Sequence, residues 1–313
     1  MNLKSSTVAV LGTGAWGSAL GRIVQKNGCN VRFWSHRGAV PLKAVVEDAE
    51  IIVSAVAMKG VLPTVDRLQA LSLSKRQIVV TATKGLDLDT TLTAGQIWYS
   101  AFPRNPVVVL SGPNLAREIE QGLPTATVLA SYDLAAAELA QSVFNSDIFR
   151  AYINQDPLGT ELGGTLKNII AIAAGACDGM KLGTNAKAAL LTRALPEMIR
   201  IGTSLGASAE TFFGLSGLGD LIATCNSPLS RNYQVGYGLA QGRTLNDILA
   251  NLSGTVEGIN TTNVAIAIAN SQAIAVPITR QVYRLLHYKI DPTTAIQALM
   301  ARELRPEFCD LEL

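Results

Sequence analysis

The chain has 313 residues, about twice the roughly 150 residues of one domain, so two domains and a sizeable core are expected. Its 26 Lys+Arg and 24 Asp+Glu leave a net charge of +2 with no long run of one sign, and charged residues make up 16% against about 25% in an average soluble domain. That balance excludes a disordered chain and gives no nucleic-acid-binding surface.

Mean hydropathy is +0.27, but the longest apolar stretch, residues 162–176, carries Lys167 and Asn168 and is shorter than the about 18 apolar residues a membrane span requires. A soluble protein with no membrane span is expected. Residues 1–6 hold one Lys and lead directly into a strand-like run, with neither an apolar signal region nor a small-residue cleavage site, so the expected location is the cytoplasm. Cys29, Cys177, Cys225 and Cys309 are scattered without a C-x-x-C pair and read as reduced thiols. His36 and His287 each lack a second histidine or cysteine at ligand spacing, so no metal site is expected. Acid–base chemistry therefore falls to lysine or a carboxylate.

The first half alternates short β-rich apolar runs with helical stretches, which predicts parallel strands joined by crossover helices. The strands are expected at 8–11, 30–34, 51–55, 78–81, 107–110, 125–129 and 149–153. From residue 156 the chain turns to long Ala- and Leu-rich segments, with helices expected over 160–176, 185–205, 259–270 and 276–288 and another starting at Pro292. The reading is an α/β Rossmann-type dinucleotide-binding domain, 1–155, and an all-α substrate domain, 156–313, joined tightly near 154–159.

The first predicted strand runs straight into G-T-G-A-W-G, with Gly12, Gly14 and Gly17, and then a helical run. In that context G-x-G-x-x-G is expected to bind a dinucleotide, a tight structural turn being the alternative. Gly12 permits the tight turn, Gly14 lets backbone approach the pyrophosphate, Gly17 lets helix pack on strand, and the helix N-terminus faces the phosphates. After the second strand comes Ser35-His36-Arg37, where an NAD-selective site would carry an acidic residue for the ribose hydroxyls. Arg37 suits a 2′-phosphate, so NADP(H) is expected to be accepted; a plain solvated turn is the alternative.

Open parallel sheets place ligands at the carboxyl ends of their strands. There I-V-V-T-A-T-K-G delivers Lys84 after the fourth strand, and V-V-V-L-S-G-P-N delivers Gly112 and Asn114 after the fifth. In the helical half, E-L-G-G-T-L-K-N sets Lys167 in an apolar helix. Buried, its charged form would be disfavoured and it would exchange a proton near neutral pH; alternatively it snorkels to the surface along one helix face. Further on, G-L-S-G-L-G-D-L-I-A-T-C carries Asp220 and Thr224, and S-P-L-S-R-N-Y carries Ser230, Arg231 and Asn232, a set suited to a phosphate dianion, with an ordinary helix cap at S-R-N as the alternative.

Taken in order, G-T-G-A-W-G-S-A-L, A-T-K-G, S-G-P-N-L-A-R-E, G-L-P-T-A, E-L-G-G-T-L-K-N-I-I-A-I-A-A-G, G-L-S-G-L-G-D-L, S-P-L-S-R-N and V-E-G cover almost the whole chain. In these the chain resembles the NAD(P)-dependent glycerol-3-phosphate dehydrogenases of the bacterial type. The resemblance implies reversible hydride transfer between NAD(P)H and dihydroxyacetone phosphate, giving sn-glycerol 3-phosphate for glycerophospholipid synthesis. It implies that Lys167 donates and accepts the proton at the C2 oxygen, and that Lys84 touches both substrate and cofactor. It places Gly112, Asn114, Asp220, Ser230, Arg231 and Asn232 at substrate-binding positions, with Thr224 where a substrate-side hydroxyl would be useful. Cofactor positions are Ala15, Trp16, His36, Ala116, Glu257 and, again, Arg231, besides the glycines. A homodimer is expected from the apolar helical half, an ordinary monomer core being the alternative.

Two departures stand out. The family usually has a longer connection between its second strand and the next helix, whereas here S-H-R-G-A-V-P-L runs almost directly from Trp34 into Lys43. Asn114 stands where Ser or Thr is commoner. The rival readings are a related hydroxy-acid dehydrogenase, against which Arg231 argues, and a non-catalytic cofactor sensor, which would need neither lysine.

Overall fold

A computed structural model describes residues 6–71, 73–304 and 306–307; Cys309 lies outside them. The chain divides into two compact units, Met1–Leu162 and Gly163–Leu313.

The first unit is built as β1 (Thr7–Leu11), α1 (Ala15–Lys26), β2 (Asn30–Trp34), α2 (Leu42–Val46), β3 (Ile51–Ser54), α3 (Val61–Gln69), β4 (Ile78–Thr81), α4 (Ala94–Ala101), β5 (Val107–Ser111), α5 (Ala116–Glu120), β6 (Thr125–Ala130), α6 (Leu134–Phe144) and β7 (Phe149–Asn154). The strands form one sheet in the order β2-β1-β3-β4-β5-β6-β7. Side chains alternate across it, so Val8, Val10, Ile51 and Val53 join α1 and α6 in one apolar layer, while Ala9, Leu11, Ile52 and Val79 join α2, α3 and α4 in the other. Both faces are thus buried, which is why these strands read as continuous Val- and Ile-rich runs.

All seven predicted strands are present, but the expectation of an entirely parallel sheet is corrected at one place. β5 and β6 pair antiparallel, and β7 is parallel to β6. The connection from β5 to β6 holds the five-residue α5 and returns the chain antiparallel, with Ser111 opposite Val128 and Val109 opposite Ala130.

The second unit is helical: most of α7 (Pro157–Gly179), then α8 (Gly183–Ser204), α9 (Asp220–Cys225), α10 (Arg231–Ala240), α11 (Leu245–Ala250), α12 (Glu257–Ser271), α13 (Pro277–Leu286) and α14 (Pro292–Met300). Proline opens α7, α13 and α14, where its missing N–H costs nothing. α7 and α10 touch backbone to backbone: a Cβ on Gly175 would overlap the Tyr233 carbonyl, and one on Gly236 the Ile172 carbonyl. Glu197 on α8 caps α13, accepting from the N–H groups of Ile278 at 2.7 Å and Thr279 at 3.0 Å.

Near the start of α7, within the first unit, Glu161 accepts the N–H of Gly95 at 2.8 Å in the first turn of α4. Full burial pushes its carboxyl up to about 7, against the opposing hydrogen bonds from Thr93 and Gly95. The folded chain therefore keeps a proton that the unfolded chain releases above the ordinary carboxyl value. This contribution to stability is complete below that value and is lost as pH rises through about 7. Glu161→Gln, which cannot ionise, is expected to gain stability relative to the parent as pH rises from about 5 to about 8, by up to about 3 kcal/mol. Denaturant titrations at both pH values measure this; a difference independent of pH contradicts it.

Candidate active site

In the first unit, the parallel strands β1, β3, β4 and β5 end at one edge of the sheet, and the predicted residues gather there. Gly12 has φ +108°, and a Cβ on it would stand 2.7 Å from the Ala55 carbonyl oxygen, so the turn accepts only glycine. A Cβ on Gly17 would overlap the Gly12 carbonyl, so close packing of α1 needs glycine there too. Gly14 differs: nothing lies within 4 Å of where its Cβ would be. It is the N-cap of α1, which has no side-chain cap, so the helix N-terminus stands open at Gly14, Ala15 and Trp16. An open helix N-terminus beside a glycine is what a pyrophosphate requires. The indole of Trp16 donates to the Ala82 carbonyl at 3.0 Å and ties α1 to the loop after β4.

Lys84 lies in that loop and donates to the Gly112 carbonyl at 3.1 Å, joining the ends of β4 and β5. Gly112 has φ +155°. Asn114 has both ends of its amide engaged, donating to the Ala126 carbonyl at 3.0 Å and accepting from the Thr127 hydroxyl at 2.9 Å. Its side chain thus pins this turn to β6, and Thr127 is a partner that inspection of the chain did not reveal. Ala116 begins α5 just beyond. His36 and Arg37 occupy an exposed turn after β2, whose last residue, Trp34, accepts the Gly12 N–H at 2.8 Å.

In the second unit the structure decides the conformation of Lys167. It is buried, at 6% exposure, and does not snorkel. Its ammonium lies 2.9 Å from Asp220 Oδ1 and donates to the Thr224 hydroxyl, which itself donates to Asp220 at 3.1 Å. Asp220 and Thr224 are 2% and 3% exposed and sit one turn apart on α9, so they share a face. Desolvation opposes the charge on Lys167 and the carboxylate favours it. The sequence pattern showed the first effect only.

The placement has a local cause. Lys167 stands one turn beyond Gly163, and a Cβ on Gly163 would be 2.9 Å from the Ser216 carbonyl oxygen. The glycine lets the π-helical turn Leu215–Gly219 press against α7, so α9 begins with Asp220 beside Lys167. Cys225, the last residue of α9, has its thiol pushed up to about 12 by burial, so it stays protonated and is no nucleophile.

Ser230 caps α10, accepting the Tyr233 N–H at 3.3 Å. Arg231 is exposed, and a Cβ on Gly254 would overlap its guanidinium. The side chain of Asn232 is engaged inward, donating to Asn168 at 2.9 Å and accepting the Gly258 N–H at 3.0 Å. Glu257 opens α12.

Among the described residues, no helix is long and apolar enough to cross a membrane. The family model described as the C-terminus of NAD-dependent glycerol-3-phosphate dehydrogenase matches residues 156–297, and that of its N-terminus matches 7–41 and 37–137. The chain is 60% identical over 306 residues to a glycerol-3-phosphate dehydrogenase [NAD(P)+] of Synechocystis sp., covering 98% of this chain and 96% of the relative. It is 59% identical to that of Acaryochloris marina, covering 99% and 100%. The crystal structure of glycerol-3-phosphate dehydrogenase from Coxiella burnetii superposes with a TM-score of 0.91 at 34% identity, covering 96% of this chain and 100% of that one. With both halves matched and relatives this similar along nearly its whole length, the chain belongs to the NAD-dependent glycerol-3-phosphate dehydrogenase family.

Proposed function

We propose that the chain is an NAD(P)-dependent glycerol-3-phosphate dehydrogenase that interconverts dihydroxyacetone phosphate and sn-glycerol 3-phosphate. The observation that carries this reading is the buried Lys167–Asp220–Thr224 cluster, a proton-handling group that binding alone would not need. Bound reduced nicotinamide supplies the hydride to C2.

The residues then have separate tasks. Lys167 gives a proton to the C2 oxygen as negative charge develops on it, and takes it back in the reverse direction. Asp220 keeps that lysine protonated, and Thr224 fixes the direction of its N–H bonds. Lys84, held by the Gly112 carbonyl, presents a second positive charge at the sheet edge to substrate and cofactor. Arg231 and the main-chain N–H groups of Arg231 and Asn232 at the start of α10, which Ser230 caps, receive the phosphate and anchor the substrate away from its reacting carbon. Gly12, Gly14, Ala15, Trp16, Gly17, Ala116 and Glu257 serve the cofactor, with His36 and Arg37 on its ribose side. A carboxylate substrate would not need this phosphate anchor, and a sensor would not need Lys167.

We place the enzyme in the cytoplasm, where it supplies glycerol 3-phosphate to phospholipid synthesis. Among the described residues, Cys29, Cys177 and Cys225 form no disulfide, which suits a reducing compartment. A homodimer is supported by the apolar groove of about 600 Å³ among α7, α8, α13 and α14, at whose rim Leu182 and Met300 are exposed. Light scattering is expected to give twice 33.0 kDa; a monomer at micromolar concentration contradicts the dimer.

Loss of reduced-nicotinamide absorbance should depend on dihydroxyacetone phosphate with NADPH and with NADH; no oxidation with either overturns the function. Arg37→Ala is expected to raise KM for NADPH several-fold and leave that for NADH unchanged. Lys167→Ala should lower kcat by about 10²-fold or more while cofactor binding persists. Asp220→Asn should shift the alkaline limb of ketone reduction to lower pH, because the buried ammonium loses its counter-charge. Unchanged turnover in Lys167→Ala refutes its role.

A further inference from the structure

Asn168, Asn232 and Gly258 lie on three helices, α7, α10 and α12, and one buried relay joins them. The N–H of Gly258 donates to Asn232 Oδ1 at 3.0 Å, and Asn232 Nδ2 donates to Asn168 Oδ1 at 2.9 Å. The two asparagines are 9% and 6% exposed. The direction of the relay is settled by chemistry. A backbone N–H can only donate, so the oxygen of Asn232 faces Gly258, its NH₂ faces Asn168, and Asn168 accepts.

Gly258 is the second residue of α12, where N–H groups have no carbonyl of their own helix to bond, and the N-cap Val256 offers no side-chain acceptor. Asn232 supplies the missing cap from another helix. A Cβ at position 258 would stand 2.6 Å from Asn232 Oδ1 and 2.9 Å from the Asn168 carbonyl oxygen, so glycine is what lets α12 come this near. Each member also adjoins a residue with a task assigned above: Asn168 follows Lys167, Asn232 follows Arg231, and Gly258 follows Glu257.

We propose that Asn232 acts through its side chain as a positioning residue, clamping the backbones that carry Lys167, Arg231 and Glu257 in one register, and so links proton transfer, phosphate anchoring and cofactor recognition. This rests on the function proposed above and adds the connection between its parts. The bond to Asn168 uses one of the two N–H groups of the Asn232 amide, so the brace leaves the other available to the substrate.

Asn232→Ala tests it, with three readouts. Amide hydrogen exchange at Gly258, followed by NMR, is expected to accelerate about tenfold or more, since that N–H loses its acceptor. KM for dihydroxyacetone phosphate and KM for NADPH should both rise several-fold, and kcat should fall. A rise in KM for the triose phosphate alone, with cofactor KM and Gly258 exchange as in the parent, would leave Asn232 as a substrate ligand only and overturn the brace. A lowered Tm with all kinetic constants unchanged would also overturn it, leaving packing alone. If Asn232→Ala does not fold, Asn168→Ala removes only the α7 arm: kcat should fall while Gly258 exchange and cofactor KM hold, and an unchanged kcat overturns the proposal. A parent enzyme without triose-phosphate turnover would instead defeat the assigned function, and Gly258 exchange in Asn232→Ala would still report on the relay.

Discussion

The helical unit is organised around an ammonium group kept from water. Lys167 is nearly inaccessible, and an isolated charge there would be too costly to retain, so its surroundings must compensate it. Asp220 supplies the charge and Thr224 a hydroxyl, and both come from one face of α9. The path that brings α9 to this point depends on Gly163 and on the π-helical turn preceding Asp220. The glycine-rich run G-L-S-G-L-G is thus a packing device that delivers a carboxylate. Such a buried pair does little for net stability, but removing one partner strands the other.

The same economy of approach governs α10 and α12. Gly175 and Gly236 let α7 and α10 meet at backbone distance, and Gly258 lets the start of α12 reach Asn232. Where side chains are absent, the distance between helices is set by carbonyls and N–H groups, which tolerate far less drift than flexible aliphatic contacts. Chemistry that must place a proton donor and a phosphate anchor to within fractions of an ångström benefits from such rigid spacing.

In the sheet unit the constraint is directional. Parallel strands deliver their carboxyl ends to one edge, so residues distant along the chain become neighbours there without individual guidance. Lys84 and Gly112 meet because β4 and β5 are adjacent and parallel, and Asn114 is secured because β6 returns antiparallel beside β5. The exposed His36-Arg37 turn belongs to this edge through the bond from Gly12 to Trp34.

Much of this was legible along the chain. Strand positions followed from Val- and Ile-rich runs buried on both faces, α1 from the fingerprint glycines, and the start of α14 from Pro292, because each depends on neighbours a few residues away. The residue types at Lys84, Lys167, Asp220 and Arg231 marked the candidate site, and the family resemblance supplied the tasks proposed for them. What the chain alone left open was non-local. Whether Lys167 is buried or snorkels depends on Asp220, 53 residues away, and the role of the Asn232 side chain depends on Asn168 at 64 residues and Gly258 at 26. The antiparallel pairing of β6 with β5 is likewise non-local, since it sets Val109 opposite Ala130. Local periodicity encodes which face of an element is apolar; only packing decides which polar groups then find one another, because each buried donor must be satisfied by whatever the neighbouring element presents.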